Sequence, residues 1–130
     1  MSEANARIII DKLLRESGWS LAGDEKSMNV DTEFANDAGR ADYVLMDDSN
    51  FPICIIEAKK ELKSPLDGKE QARDYAKSLN CRFIILSNGI SHYFWDIEQG
   101  NPSPVNIYPT QEQLIARKEN FNPPRDEVEE

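Results

Sequence analysis

The run Ile53-Cys54-Ile55-Ile56 is apolar at every position and passes directly into Glu57. A segment without polar alternation has no face to give to water, so Pro52 to Ala58 is expected to form a strongly buried strand. A carboxylate at the end of such a strand, with Lys59 two residues on, is expensive to place without a purpose. The rest of the chain has to cover this strand on both sides.

Before it, Ala6, Ile9, Ile10, Leu13 and Leu14 recur at helical spacing, predicting a helix from about Ala4 to Ser17. Ser2 is its expected cap, Glu3 suits the positive end of the dipole, and Gly18 suits the stop. Trp19 is expected to fold back onto the apolar face. Alternation from Met28 to Phe34 puts Met28, Val30, Thr32 and Phe34 on one side of a strand. The turn-forming stretch from Ala35 to Gly39 leads to a second strand, Ala41 to Met46. Pro65 and Gly68 break the chain before a helix of about Lys69 to Leu79, with Ala72, Tyr75, Ala76 and Leu79 inward. Arg82 to Leu86 is another apolar strand. Asn88-Gly89 favours a tight hairpin with two left-handed residues, returning as Ile90 to Asp96.

Beyond Gly100 the prolines indicate a loop, followed by a short helix over Gln111 to Lys118. The order α-β-β-β-α-β-β, with that C-terminal helix, predicts an α/β domain in which helices flank a mixed sheet. Residues 1–118 are expected to make the domain. Residues 119–130, polar, with Pro123-Pro124 and terminal acids, are expected to be a linker or tail.

A chain of 130 residues, 39% apolar and 30% charged, suits one globular domain. Its longest apolar runs are strand-sized, far below the ~18 residues of a membrane span. The start lacks the basic and apolar regions of a signal peptide. Two cysteines and one histidine cannot build a disulfide scaffold or a four-ligand zinc site. A cytoplasmic setting is therefore expected, with Cys54 as a core side chain and His92 as a packed or edge residue. The net charge of −9 speaks against a phosphate-binding surface, yet it is unevenly spread. From Arg40 to Arg82 eight basic and eight acidic residues balance, so the whole excess lies outside that stretch.

The chemistry concentrates in the hairpin of the second and third strands. With Ser49 and Asn50 as its central residues, opposed positions add to 99, and Asp42 faces Glu57. Lys59 projects from the same face as Glu57. Two neighbouring carboxylates repel unless a proton or a cation intervenes. With oxygen ligands only, the cation would be a hard one such as Mg²⁺, which keeps waters that can attack a phosphate. Opposed acids and lysines on paired strands also make ordinary solvated ladders. The abrupt change from Ile56 to Glu57 is what weighs toward a site.

Asp42, followed after fourteen residues by Glu57-Ala58-Lys59, resembles the D…(D/E)-x-K signature of the PD-(D/E)XK nuclease superfamily. More specifically, three stretches resemble the N-terminal nuclease domain of the restriction (R) subunit of type I restriction–modification enzymes. These are Gly39-Arg40-Ala41-Asp42-Tyr43-Val44-Leu45, Ile56-Glu57-Ala58-Lys59-Lys60 and the stretch from Gly68 to Ala76. Ser87-Asn88-Gly89, Phe94-Trp95-Asp96 and the opening from Ser2 to Trp19 also fit, so the likeness spans about residues 2–98. It implies a restriction-endonuclease-like fold and Mg²⁺-dependent cleavage of double-stranded DNA. Asp42 and Glu57 would be metal ligands and Lys59 the catalytic lysine. The family's Q-x-x-x-Y motif falls on Gln71 and Tyr75, and its first-helix acid on Glu3. The residue before Asp42 is Ala41 where the superfamily name has proline.

No G-x-x-x-x-G-K-[S/T] motif occurs, so ATP would act only in a motor region outside these residues. Methyltransferase and specificity subunits are the implied protein partners. Lys60, Lys69 and Arg73 are candidate DNA contacts. Lys69, Arg73 and Lys77 share one helical face, though the interleaved Glu70 and Asp74 equally suit a salt-bridged surface. Cleavage by the isolated domain is expected to be weak or absent. The competing readings are a non-catalytic docking or DNA-holding module of the same fold, and a repair or junction nuclease of the same superfamily.

Overall fold

In the computed structural model, which describes residues 3–24, 27–36, 39–60 and 63–119, the buried run lies at the centre of a six-stranded sheet. The chain order is α1 (Glu3–Glu16), β1 (Val30–Asn36), β2 (Gly39–Met46), β3 (Pro52–Ala58), α2 (Lys69–Ser78), β4 (Phe83–Ser87), β5 (His92–Asp96), β6 (Ser103–Val105) and α3 (Gln111–Glu119). Strands lie side by side in sequence order. Every pairing is antiparallel except β3 with β4, which α2 joins as a crossover. The expected mixed sheet flanked by helices is the observed architecture. The expected Ser2 cap and the tail residues 120–130 lie outside the described residues, as do Asp37 and Ala38 of the first hairpin turn.

Alternation along the central strands builds two cores. Tyr43, Leu45, Ile56, Phe83 and Ile85 meet Ile10 and Leu14 of α1, Trp19, and Leu114 of α3. Val44, Ile55, Ile84, Leu86 and Trp95 meet Ala72, Tyr75 and Ala76 of α2 on the other face. Ile53 to Ile56 are all buried because both faces of β3 are covered. Each such side chain contributes roughly 1.5–3 kcal/mol of burial.

Local chemistry ends the helices. After α1, Gly18 takes a positive φ, the Trp19 N–H donates to Leu14 O at 3.0 Å, and Trp19 packs back on Ile10 and Leu14 as expected. Thr110 and Gln113 form a reciprocal capping box at α3: Gln113 N–H donates to Thr110 Oγ1 and Thr110 N–H to Gln113 Oε1.

The structure departs from the sequence reading at several edges. Ile9 and Met28, expected to face inward, are exposed, because β1 begins only at Val30 and α1 buries a narrower stripe of Ala6, Ile10 and Leu14. In the β4–β5 hairpin only Gly89 has a positive φ. Asn88 Oδ1 instead accepts from the N–H groups of Ile90 and Ser91, making a four-residue turn that delays β5 to His92. The expected loop after Gly100 contains β6, an edge strand in which Pro104 needs no donor. In the β2–β3 hairpin the register adding to 99 holds for Tyr43–Ile56, Val44–Ile55 and Leu45–Cys54, then shifts by one at Met46. Asp47 closes a longer loop than the two-residue turn expected, its Oδ1 accepting from Ser49 and Phe51, with Asn50 at φ 65.

At the end of β5, Asp96 takes two bonds from Arg82, 2.8 Å to Nε and 2.7 Å to Nη2, and both side chains are buried. Burial alone would raise the Asp96 carboxyl, but hydrogen bonds from Arg82, the Glu98 N–H and Arg117 hold it below the ordinary 3.8. A carboxyl depressed in the folded state stabilises above its unfolded value and loses that contribution as pH falls through the folded one. Asp96→Ala, which removes both of these bonds from the buried Arg82, is expected to cost ~3–5 kcal/mol at pH 7. Denaturant unfolding should show that loss, and a variant whose stability matched wild type at neutral pH would contradict it.

Candidate functional site

The site begins where the β2–β3 ladder ends. On one side of β3 the Lys59 N–H donates to Ser87 O of β4 at 2.8 Å. The Ala58 N–H therefore points the other way, toward β2, and in the register adding to 99 its partner would be the Ala41 carbonyl. It donates instead to Asp42 Oδ2, at 2.7 Å. The ladder accordingly stops at Tyr43–Ile56. Ala41 and Val44 both pack on the α2 face while Tyr43 packs on the α1 face, so simple alternation fails at Asp42. The carboxylate replaces a backbone acceptor, and Asp42 as a whole is 4% exposed. Its other oxygen, Oδ1, is ion-paired with Arg7 of α1.

Glu57 is half-buried and lines a cleft of about 260 Å³ with Gly39, Arg40, Gln71 and Tyr75. The parallel pairing of β3 with β4 brings the start of α2 over the end of β3. Gly68, at φ +82, precedes α2 and lies under Lys59; a Cβ built there would come within 3.2 Å of Lys59 Nζ and 3.9 Å of Gln71 Oε1. Lys59 and Gln71 thus meet above the same residue. Tyr75, one turn beyond Gln71, is buried, and burial raises its phenol. It packs the helix against the sheet and leaves Gln71 exposed at the rim.

Residues 7–109 match the family described as the type I restriction enzyme R protein N terminus (HSDR_N). The chain belongs to this family. The fold also matches the fragment structure described as an HsdR subunit of a type I restriction enzyme from Vibrio vulnificus YJ016, with a TM-score of 0.71 and 30% identity. That match covers 91% of this chain and 25% of the other, so the chain spans a quarter of that structure's length. Among curated proteins none matches it.

Within this R-protein N-terminal domain the other candidate residues fall in different places. The side chain of Glu3 lies outside the described residues. Lys60 is exposed just past β3. Lys69 and Arg73 both lie over the Trp95 ring, at 5.6 and 6.0 Å, and Arg73 pairs with Glu70. His92 is packed, with Nδ1 2.8 Å from Ser87 Oγ and 3.1 Å from Tyr108 Oη. Burial holds its imidazole below the ordinary value. Burial also raises both thiols, Cys81 to about 12, so neither supplies a thiolate at neutral pH. No helix among the described residues is long and apolar enough to cross a membrane.

Sequence reasoning missed Arg7. Its signal was its place on the helix face one turn before Asp11, which bonds the Tyr43 hydroxyl at 2.6 Å next to Asp42. Arg7 also gives a direct test of what the site accepts: its guanidinium shows that a positive charge is held against Asp42. Asp42 and Glu57 offer oxygen donors only, and one or two carboxylates with retained water are the usual protein share of a Mg²⁺ shell. The donor chemistry of these residues therefore suits such an ion. Among the described residues no three His, Cys, Asp or Glu side chains gather into a fuller protein cage.

Gly68→Ala should reveal how closely the crossover is fitted. A left-handed backbone with a side chain costs about 1 kcal/mol or more, and the new methyl would push Lys59 Nζ aside. Thermal unfolding should register the loss, and the Lys59 ammonium resonance should move in the same variant. An unchanged resonance would mean that Lys59 does not rest on Gly68.

Proposed function

We propose that this domain is the DNA-cleaving unit of a type I restriction enzyme R subunit, a PD-(D/E)XK endonuclease that hydrolyses phosphodiester bonds with Mg²⁺. The observation that supports it most is the insertion of Asp42 into the end of the β2–β3 ladder, bonded to Ala58 between Glu57 and Lys59. A solvated acid–lysine ladder has no need to replace a backbone acceptor with a buried carboxylate.

On this reading Asp42 and Glu57 would hold the ion, which when bound neutralises phosphate charge and makes a water more acidic. Ala58 N–H fixes the Asp42 carboxylate in orientation, so little reorganisation is needed when a phosphate arrives. Lys59 places an ammonium beside the scissile group, where it offsets charge developing on phosphate oxygens and orients the attacking water. Gln71 at the rim is a donor and acceptor for the DNA or for that water. Lys60, Lys69 and Arg73 are phosphate contacts around this centre. The larger complex supplies the rest: specificity and methyltransferase subunits for recognition, and an ATP-driven motor to bring duplex DNA to the site. The isolated chain should therefore cut weakly.

A non-catalytic module is the second reading, and the Arg7–Asp42 pair favours it, since an acid already neutralised by a guanidinium has no call for a metal. Mutation in the assembled enzyme separates the two. Glu57→Gln and Lys59→Ala are expected to lower DNA cleavage by at least ~10²–10³-fold while ATP hydrolysis by the complex continues. Asp42→Ala should do the same but also lose stability, because it strands the Ala58 N–H and removes the ion pair with Arg7. Cleavage that survives Glu57→Gln at wild-type rate would favour the module.

A further inference from the structure

Asp42 has two oxygens with different partners. Oδ2 is held by the Ala58 N–H, deep between two strands. Oδ1 is the oxygen left for an ion, and Arg7 occupies it. Arg7 is set on α1, whose Ile10 and Leu14 are fully buried, so its backbone is fixed by the core. Its guanidinium lies 5.8 Å from the centre of the Tyr43 ring, and its side chain keeps 24% exposure while that of Asp42 has 6%. One helical turn along α1 stands Asp11, which accepts from the Tyr43 hydroxyl at 2.6 Å, and that hydroxyl lies 3.2 Å from Arg7 O. Residues four apart on a helix are neighbours, so Asp11 is a second carboxylate within reach of Arg7.

From this geometry we infer that Arg7 is a resident counter-cation that competes with a divalent ion for Asp42 Oδ1 and yields to it by turning toward Asp11. The inference rests on the nuclease reading and assigns Arg7 a positioning role in it. Without an ion, Arg7 keeps a buried carboxylate neutralised and the strand ends in register. With one, the same guanidinium moves along α1 and leaves the oxygen open. Arg7 would thus set the ion concentration at which the site fills.

Mn²⁺ titration of the chain by calorimetry tests this, with Arg7→Gln and Arg7→Lys beside wild type and folding checked by circular dichroism. Arg7→Gln should bind Mn²⁺ about tenfold more tightly, a change corresponding to ~1.4 kcal/mol, and Arg7→Lys should stay near wild type. In wild type the Arg7 guanidinium resonance should shift on adding Mg²⁺, and in Glu57→Gln it should stay put at the same concentration. Equal or weaker Mn²⁺ binding by Arg7→Gln overturns the competition and leaves the two-carboxylate site standing. Binding by neither protein at millimolar Mn²⁺ overturns both the competition and the metal-dependent reading.

Discussion

One hydrogen bond, from the Ala58 N–H to Asp42 Oδ2, ties the end of the central strand to the chemistry of its neighbour. A backbone donor in a closed, buried position must find an acceptor, and here the acceptor is a side chain. That substitution ends the β2–β3 ladder, lets β2 change which face its residues present, and fixes a carboxylate whose second oxygen faces a cation. The consequence runs both ways. The core that buries Ile53 to Ile56 gives the strand its rigidity, and the rigidity makes the position of the carboxylate reproducible.

The topology does the rest. A parallel pair needs a crossover, and the crossover between β3 and β4 is α2. Its start therefore sits above the β3 end, where Gly68 leaves room for Lys59 and Gln71. Helix α1 covers the opposite face and sends Arg7 to the same strand ends. Two helices on opposite sides of the sheet thus converge on one edge of the β2–β3 gap. Lys59 and Gln71 come together at that edge on the α2 side, and Asp42 meets Arg7 on the α1 side.

Much of this was legible in the residues themselves. The unbroken apolar run located β3 to the residue, and the sum of 99 gave the pairing near Asp42 even though the turn that suggested it is longer than two residues. The bulge at Met46 absorbs the difference, so a wrong turn led to a right register from Tyr43 to Leu45, but the ladder ends before the expected Asp42–Glu57 pair. Edges were less legible. Asn88-Gly89 has the composition of a tight hairpin, but Asn88 spends its side chain on Ile90 and Ser91 and stays out of the left-handed region. Strand β6 was hidden by Pro104, which an edge tolerates. Arg7 was hidden for a different reason: its partner is thirty-five residues away, and helical spacing reveals only which face a residue lies on.

Charge argues that the proposed site is incomplete by itself. The chain carries −9 overall, and DNA affinity is dominated by neutralised phosphates. Arg40 lines the cleft, whereas Arg73 is paired with Glu70, and both it and Lys69 lie over Trp95. On the nuclease reading, such residues would position a backbone already delivered, and surface pairs contribute little at ionic strengths where they are screened. On the same reading, such a domain would gain by leaving capture and recognition to larger neighbours and keeping only a rigid scission centre. An acidic surface would then have a use, since it would hold DNA off the domain until something stronger pressed it in. Under that arrangement a guanidinium over Asp42 would be a consistent device: it would balance the buried carboxylate's charge until an ion replaced it.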